Sequence, residues 1–467
     1  MLDWCVTKGD AGYRLGVPPL TEEEEQLVFD VSESFKELSK HRDLQGVNLR
    51  SLIAEQLVDY CRHHNIVLDH EQEQYVSTYL YYNIAGYCGL DPLLEDESIE
   101  EVGMIGIGKP VYIYHVTKGW LDTNLRFRSE DAAVAVINKI ARQVGRRITY
   151  QNPKLNAVLP NGARLHASIP PISDVELTVR KFRTNPITVA DLIDNRTYSL
   201  DAMAFLSLLF QMDYNILVAG NTASGKTSTL NALFSFIPLS DRILIIEETP
   251  EINIPHAHKI KMMSNQELKI DMRILVEDTL RMRPDRVIVG EIRTRDEVGA
   301  FIETILSGQA RGSYATFHAQ SSEEAVKRMV SQGISPVDVG SINFVVVQRR
   351  IIRYDPKSRR YWEERKGVEI SELSGNSEIN KIFQLNQRTG SMEGSYTRSK
   401  SVPDITDSFG ISEKELSVEI DKRKEMLASL KKKSFEETVF SIQSSLFTRG
   451  FGREAPMSEM IDQKTQE

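Results

Sequence analysis

Cysteine is nearly absent: Cys5, Cys61 and Cys88 are the only three in 467 residues. They lie far apart and form no Cys-x-x-Cys pair, so neither a disulfide framework nor a structural zinc site is expected. No run of about 18 apolar residues occurs, so no membrane-spanning helix is expected. The N-terminus, Met1-Leu2-Asp3-Trp4-Cys5, does not have the basic and then apolar segments of a signal peptide. The expected location is therefore cytoplasmic, with any attachment to the cytoplasmic membrane made peripherally through partners. Excess positive charge is missing as well. The formal net charge is -9, and no basic stripe is interleaved with aromatics, so no direct nucleic-acid partner is expected. No internal repeat is found.

What remains is ordinary globular composition, 41% hydrophobic and 26% charged, in a chain long enough for several domains. Residues 1–20 read as an irregular lead-in with glycines and Pro18-Pro19. Helices are expected over 21–41, 48–64 and 70–85, the second with Leu49, Leu52, Ile53, Leu57, Val58 and Cys61 on one face. His63 and His64 are adjacent, point in different directions on that helix, and are not expected to bind metal. Residues 1–88 therefore form a helical adaptor region. After Gly86 the pattern changes. Strand-like stretches at 99–105, 111–115 and 175–182 surround a helix from Glu130 to Val144, giving a compact α+β middle domain over 89–184. Thr184-Asn185-Pro186 marks a linker.

The third region, 185–370, is organised around Gly220-Asn221-Thr222-Ala223-Ser224-Gly225-Lys226-Thr227. The apolar run Ile216–Ala219 precedes it, and Ser228-Thr229-Leu230 opens a helix. Strand, glycine-rich turn and helix are the context of a phosphate-binding P-loop. Backbone N–H groups and the helix N-terminus would meet the phosphates, with residues 220 to 228, Ser228 included, lining the nucleotide. Lys226 would reach the β- and γ-phosphates, and the Thr227 hydroxyl would ligate Mg²⁺. ATP and Mg²⁺ are thus the expected ligands. Strands and helices then alternate, as in a parallel α/β sheet, and ligands bind such a sheet at the carboxyl ends of its strands. Three of those ends carry chemistry: Glu247 and Glu248 after Arg242–Ile246, Glu291 after Arg286–Gly290, and His318 after Ser313–Phe317.

Glu291 has the place of a Walker B carboxylate and would act on Mg²⁺ through water. One of Glu247, Glu248 and Glu251 should hold the attacking water; alternation lets only one of the first two face the crevice, and Glu247 is preferred. His318 would donate toward the γ-phosphate, with Thr316 on the same side. Arg281, Arg283, Arg293 and Arg295 read as surface or ion-pair residues. Residues 343–363 read as a hairpin turning at Asp355–Ser358. Beyond it, a C-terminal extension over 371–448 carries a helix whose capping box is Ser412 and Glu415 and whose buried face is Leu416, Ile420, Leu427 and Leu430. The stretch 386–408 reads as mobile and 449–467 as a disordered tail.

These motifs together resemble the secretion ATPase superfamily of type II secretion, type IV pili and the archaellum, in its archaeal branch. The resemblance spans roughly 89–365. Gly220–Thr227 matches Walker A, Ile246–Glu251 the Asp box, Gly290-Glu291-Ile292-Arg293 an atypical Walker B, and Thr316-Phe317-His318-Ala319 the end of the His box. Gly89–Val102, Leu159–Leu165 and Thr178–Phe182 match segments of the middle domain. The resemblance implies a RecA-like P-loop ATPase domain preceded by a PAS-like α+β domain. It implies Arg164 and Arg180 as arginine fingers and a homo-hexamer whose domains move through the 183–187 linker. Its partners would be a polytopic membrane platform protein and a pilin-like filament system, served by assembly, rotation or export. Two positions depart from the family pattern. Glu248 stands where an Asp is usual, and Arg311 stands at the place of the first His-box histidine, where it could replace a phosphate or interface contact. A non-hydrolysing scaffold would not need acids and a histidine at three neighbouring strand ends. A helicase would need a basic stripe that is absent.

Overall fold

The computed structural model describes residues 2, 4–8, 10–41, 46–181, 186–265 and 268–447. Residues 183–185 of the expected linker and the whole of the expected tail lie outside them. The chain divides into two compact units, Met1–Thr184 and Asn185–Glu467. Among the described residues no helix is long and apolar enough to cross a membrane.

The first unit runs β1 (Trp4–Val6), α1 (Glu22–His41), α2 (Leu49–His64), α3 (His70–Ile84), α4 (Asp91–Glu95), β2 (Ile99–Met104), β3 (Pro110–His115), β4 (Gly119–Phe127), α5 (Glu130–Ala141), β5 (Lys154–Val158), β6 (Arg164–Ser168) and β7 (Glu176–Arg180). Polar residues set the helix starts: the Asn48 side chain caps α2, and Asp69 with Gln72 forms a capping box on α3. The seven strands form one antiparallel sheet in the order β1-β4-β3-β2-β7-β6-β5. Two expectations are corrected here. The lead-in is not wholly irregular, because Trp4–Val6 pairs with Leu125–Phe127 at the sheet edge, and Trp4 stacks on Tyr79 at 5.0 Å. Nor do residues 1–88 stand apart from 89–184. The apolar faces of α1, α2 and α3 share one core with the sheet, with Val28, Ile53, Tyr79, Leu125 and Phe127 all buried in it.

The second unit runs α6 (Val189–Asp194), α7 (Leu200–Gln211), β8 (Ile216–Gly220), α8 (Lys226–Leu233), β9 (Ile243–Glu247), β10 (Lys259–Met263), α9 (Met272–Thr279), β11 (Arg286–Ile292), α10 (Arg295–Leu306), β12 (Gly312–Phe317), α11 (Ser322–Ser331), α12 (Pro336–Val339), β13 (Phe344–Asp355), β14 (Arg360–Ser374), β15 (Glu378–Asn386), β16 (Ser391–Gly394), α13 (Val402–Phe409), α14 (Glu413–Ala428) and α15 (Phe435–Leu446). Its sheet has the order β10-β9-β11-β12-β8-β13-β14-β15-β16. The first six strands are parallel and the last three pairings antiparallel. The central strands read as continuous apolar runs because helices cover both faces. Ile216, Val218, Phe344 and Val346 face a core with α7 and α8, while Leu217, Ala219, Val345 and Val347 face a second core with α9 and α10. The stretch expected to be mobile over 386–408 instead holds β16 and α13. The C-terminal extension begins as part of the sheet itself, and its helix α14 buries Leu416, Ile420 and Leu427 in the α7 core.

His256 lies in the loop between β9 and β10 and is fully buried, with Nε2 3.1 Å from the Pro238 carbonyl. Burial pushes its pKa from the ordinary 6.5 down to about 4, and the charges of Lys259 and Arg286 push the same way against the pull of the Pro238 hydrogen bond. The unfolded chain therefore takes up this proton first. Stability should fall as pH drops from about 6.5 to about 4, by up to about 3 kcal/mol. Urea unfolding of the wild type and His256→Gln across that window checks this; equal acid slopes for both would refute it.

Candidate functional site

β8 is apolar and buried along its whole length, and it ends at Gly220 where the chain must turn sharply. A Cβ at Gly220 would lie 2.1 Å from the Gln348 carbonyl oxygen, so only glycine fits. Ala223 and Gly225 take positive φ, 59° and 91°, and close the turn. α8 then starts at Lys226 with no side-chain cap on Gly225. The first N–H groups of a helix have no intrahelical acceptor, so this end is built to meet an anion.

The turn is braced from the β13 side. Gln348, 1% exposed, donates through Nε2 to the Ser224 carbonyl at 2.6 Å, and its Oε1 accepts from Tyr198 at 2.9 Å and Thr229 at 2.5 Å. The Asn221 side chain exchanges two hydrogen bonds with the Arg350 backbone, and Arg365 Nε donates to the Ala223 carbonyl at 3.0 Å. Gln348→Leu would strand the groups that Gln348 holds, at about 1–3 kcal/mol each. We expect a lower unfolding midpoint together with weaker ATP binding, measured by titration of the folded variant. Unchanged ATP affinity would mean that Gln348 does not hold the loop's shape.

The acidic groups gather at the neighbouring strand ends. Lys226, 7% exposed, places Nζ 3.7 Å from Glu291 Oε1 and 3.4 Å from the Asn221 carbonyl. The same Glu291 oxygen is 2.5 Å from His318 Nε2. Arg293 holds the other Glu291 oxygen, through Nε at 2.9 Å and through Nη2, and its Nη1 donates to Glu248 at 3.2 Å. A bulge at Gly290 shifts the register between β11 and β12 just before Glu291. Glu247 is buried. Its Oε1 accepts from the backbone N–H groups of Glu251 and Ile252 at 2.7 and 2.8 Å, while its Oε2 has no hydrogen-bond partner among the described residues. Thr227 donates to Glu251 Oε2 at 2.7 Å. Of the three acids, Glu247 is buried, Glu251 faces Thr227, and Glu248 is exposed.

Burial alone would raise the Glu291 pKa, but the Arg293 hydrogen bond and charge, with Lys226 and His318, hold it below the ordinary carboxylate value. Burial and the Lys226 charge push His318 down, outweighing Glu291. Burial also lowers Lys226, against Glu291 and Glu251, and raises Glu247 despite its two backbone donors. At neutral pH the Glu291–His318 pair is a carboxylate accepting from a neutral imidazole.

Other expected residues lie elsewhere. Arg311 sits at the opposite end of β12 from His318, paired with Asp241 at 2.7 Å and Asp285 at 3.6 Å, so it stands away from the strand ends that carry the site. Thr316 is buried and donates to the Gly290 carbonyl at 3.2 Å, which corrects its expected share in the His318 role. Arg164 and Arg180 belong to the first unit, where they are direct cross-strand partners on β6 and β7. Little in the sequence singles out Gln348; its one signal there is a polar residue ending the apolar run Phe344–Val347. Arg293, which reads as an ion-pair residue, pairs with the site's own carboxylates.

The family model described as type II/IV secretion system protein matches residues 103–443. A protein of Methanocaldococcus jannaschii is 38% identical over 230 residues, covering 46% of this chain and 32% of its own length. The chain thus spans about a third of that relative. The type IV secretion system protein VirB11 of Bartonella quintana is 28% identical over 284 residues, covering 51% of this chain and 78% of its own. The solved structure of the ATPase DotB of Legionella pneumophila aligns with a TM-score of 0.46 at 16% identity, over 80% of this chain and 94% of that one.

Proposed function

The chain belongs to the type II/IV secretion system protein family, and from that premise we propose that it is a Mg²⁺-dependent ATPase working as a motor. The observation that carries this reading is the convergence of Lys226, Glu291 and His318 at the carboxyl ends of three parallel strands, beside a buried Glu247 with one unpartnered oxygen. The donor set fits a nucleoside triphosphate with its cation: an uncapped helix N-terminus, a lysine and a hydroxyl at the first turn, and a carboxylate on either side of them. Mg²⁺ in such sites takes part of its ligand shell from the phosphates and water, so one hydroxyl and one nearby carboxylate suffice.

Lys226 and the first N–H groups of α8 bind the phosphates. The Thr227 hydroxyl and the Glu291 carboxylate would hold Mg²⁺, which would supply charge neutralisation to the phosphates. Glu247 Oε2 takes the attacking water, and neutral His318 donates toward the γ-phosphate. Arg164 and Arg180 serve as arginine fingers in an assembled homo-hexamer. The motor acts on a polytopic membrane platform protein and drives assembly of pilin-like filaments, archaellum rotation being the neighbouring form of that role. The likeness to VirB11 favours a second reading, export of the type IV secretion kind.

Steady-state ATP hydrolysis with Mg²⁺, at several protein concentrations and with mass recorded alongside, tests the proposal. Activity per chain should rise as a hexamer forms. A concentration-independent rate from a monomer would remove the ring, and no hydrolysis even with the platform protein present would remove the motor.

A further inference from the structure

β13 leaves its parallel neighbour β8 at Gln348, which pairs with Gly220. From Arg349 to Lys366 the two strands β13 and β14 pair with each other as a ribbon that runs past the end of β8. Side chains alternate along it. Gln348 points to the P-loop and α8, so Arg350, Ile352 and Tyr354 follow on that face, together with their cross-strand partners Arg365, Glu363 and Tyr361. The hydrogen bonds from Arg365 to Ala223 and between Asn221 and Arg350 fix this face against the phosphate cradle. Beyond that anchor the face turns apolar. Ile352, Tyr354 and Tyr361 are 67%, 62% and 74% exposed. Glu363 pairs with Arg350 between them.

A two-stranded ribbon gains little by showing three large apolar side chains to water. Their position suggests the occupant. Ile352 lies two residues past the Arg350 anchor, roughly 7 Å along the strand, and Tyr354 about twice as far. A nucleotide held by its phosphates at α8 and extending away from Glu291 would lay its base along this face. Aromatic and guanidinium planes are also the groups on which bases stack.

We propose that the ribbon face of Ile352, Tyr354 and Tyr361 binds the purine base of the nucleotide whose phosphates occupy the P-loop. The assignment rests on the nucleotide reading above and adds the base site to it.

The test compares ATP with inorganic tripolyphosphate, which has no base, by equilibrium titration of the full chain. The variants are Tyr361→Ser and the triple Ile352→Ser, Tyr354→Ser, Tyr361→Ser. ATP should bind about ten-fold more weakly to the triple variant, with tripolyphosphate unchanged and Tyr361→Ser intermediate. Irradiation of the wild type with 2-azido-ATP should label the peptide 350–365. Equal weakening for both ligands would show that the ribbon only braces the P-loop. Unchanged ATP binding would show that the face serves something else, such as a second copy of the chain. Either result overturns the assignment. A wild type that binds neither ligand would bring down the nucleotide reading itself, and the base site with it.

Discussion

Glu291→Gln should reduce ATP turnover on the order of 10²–10⁴-fold and leave ATP bound. The substitution keeps the shape and removes one charge. Glu291 meets Lys226, His318 and Arg293 together, so it organises these three groups around one carboxylate. An amide cannot hold Arg293 and His318 as a carboxylate does, and it cannot support a hydrated Mg²⁺. ATP affinity should hold or improve, because a negative charge beside the phosphates is gone. Lys226→Ala should differ, losing turnover and weakening nucleotide binding as well, since it removes the proposed phosphate contact. Rates and ATP dissociation constants for the two variants decide the matter. A Glu291→Gln protein that still turns over nearly as fast as the wild type would place the essential carboxylate elsewhere.

Arg286→Met should cost about 3–5 kcal/mol of stability while sparing ATP affinity in the folded protein. Arg286 is 1% exposed at the start of β11. It pairs with Asp241 at 3.2 Å and Asp213 at 3.3 Å, and donates to the Met212 carbonyl at 2.8 Å and to Tyr314 at 3.2 Å. Removing it leaves the buried Asp241 with Arg311 as its one ion-pair partner among the described residues and takes the donor from the Met212 carbonyl. These contacts sit at the amino ends of the strands, whereas Glu291 and His318 sit at the carboxyl ends. Urea midpoints with ATP titration separate the two effects. A loss under about 1 kcal/mol would mean that the network is hydrated and weak.

The site is legible in the sequence where its parts are contiguous or one strand long. The P-loop declares its strand, turn and helix in one unbroken stretch, and Glu247, Glu291 and His318 each close an apolar run. The bracing by Gln348 is not legible, because its partners Ser224 and Thr229 come more than a hundred residues earlier and depend on β13 lying beside β8. Arg311 misleads for a related reason. Counting along the chain from Thr316 puts it near the site, but a six-residue strand separates it from the carboxyl edge. Strand β1 escapes sequence reading because three residues are too few to show alternation, and its partner, Leu125–Phe127, is far along the chain. Nothing local distinguishes 386–408 from a loop, since its short strand and helix are held by neighbours distant in sequence.

The placement of β8 between β12 and β13 also matters while the chain is being made. Ile216–Ala219 is fully apolar, yet its two partners end at Phe317 and Gln348. At about 5–20 residues per second of synthesis, the strand waits on the order of ten seconds before both neighbours exist. During that time at least one hydrogen-bonding edge of this hydrophobic strand lacks its native partner on the ribosome. Synthesis of this protein should therefore depend on chaperones that shield it until residue 348 has emerged.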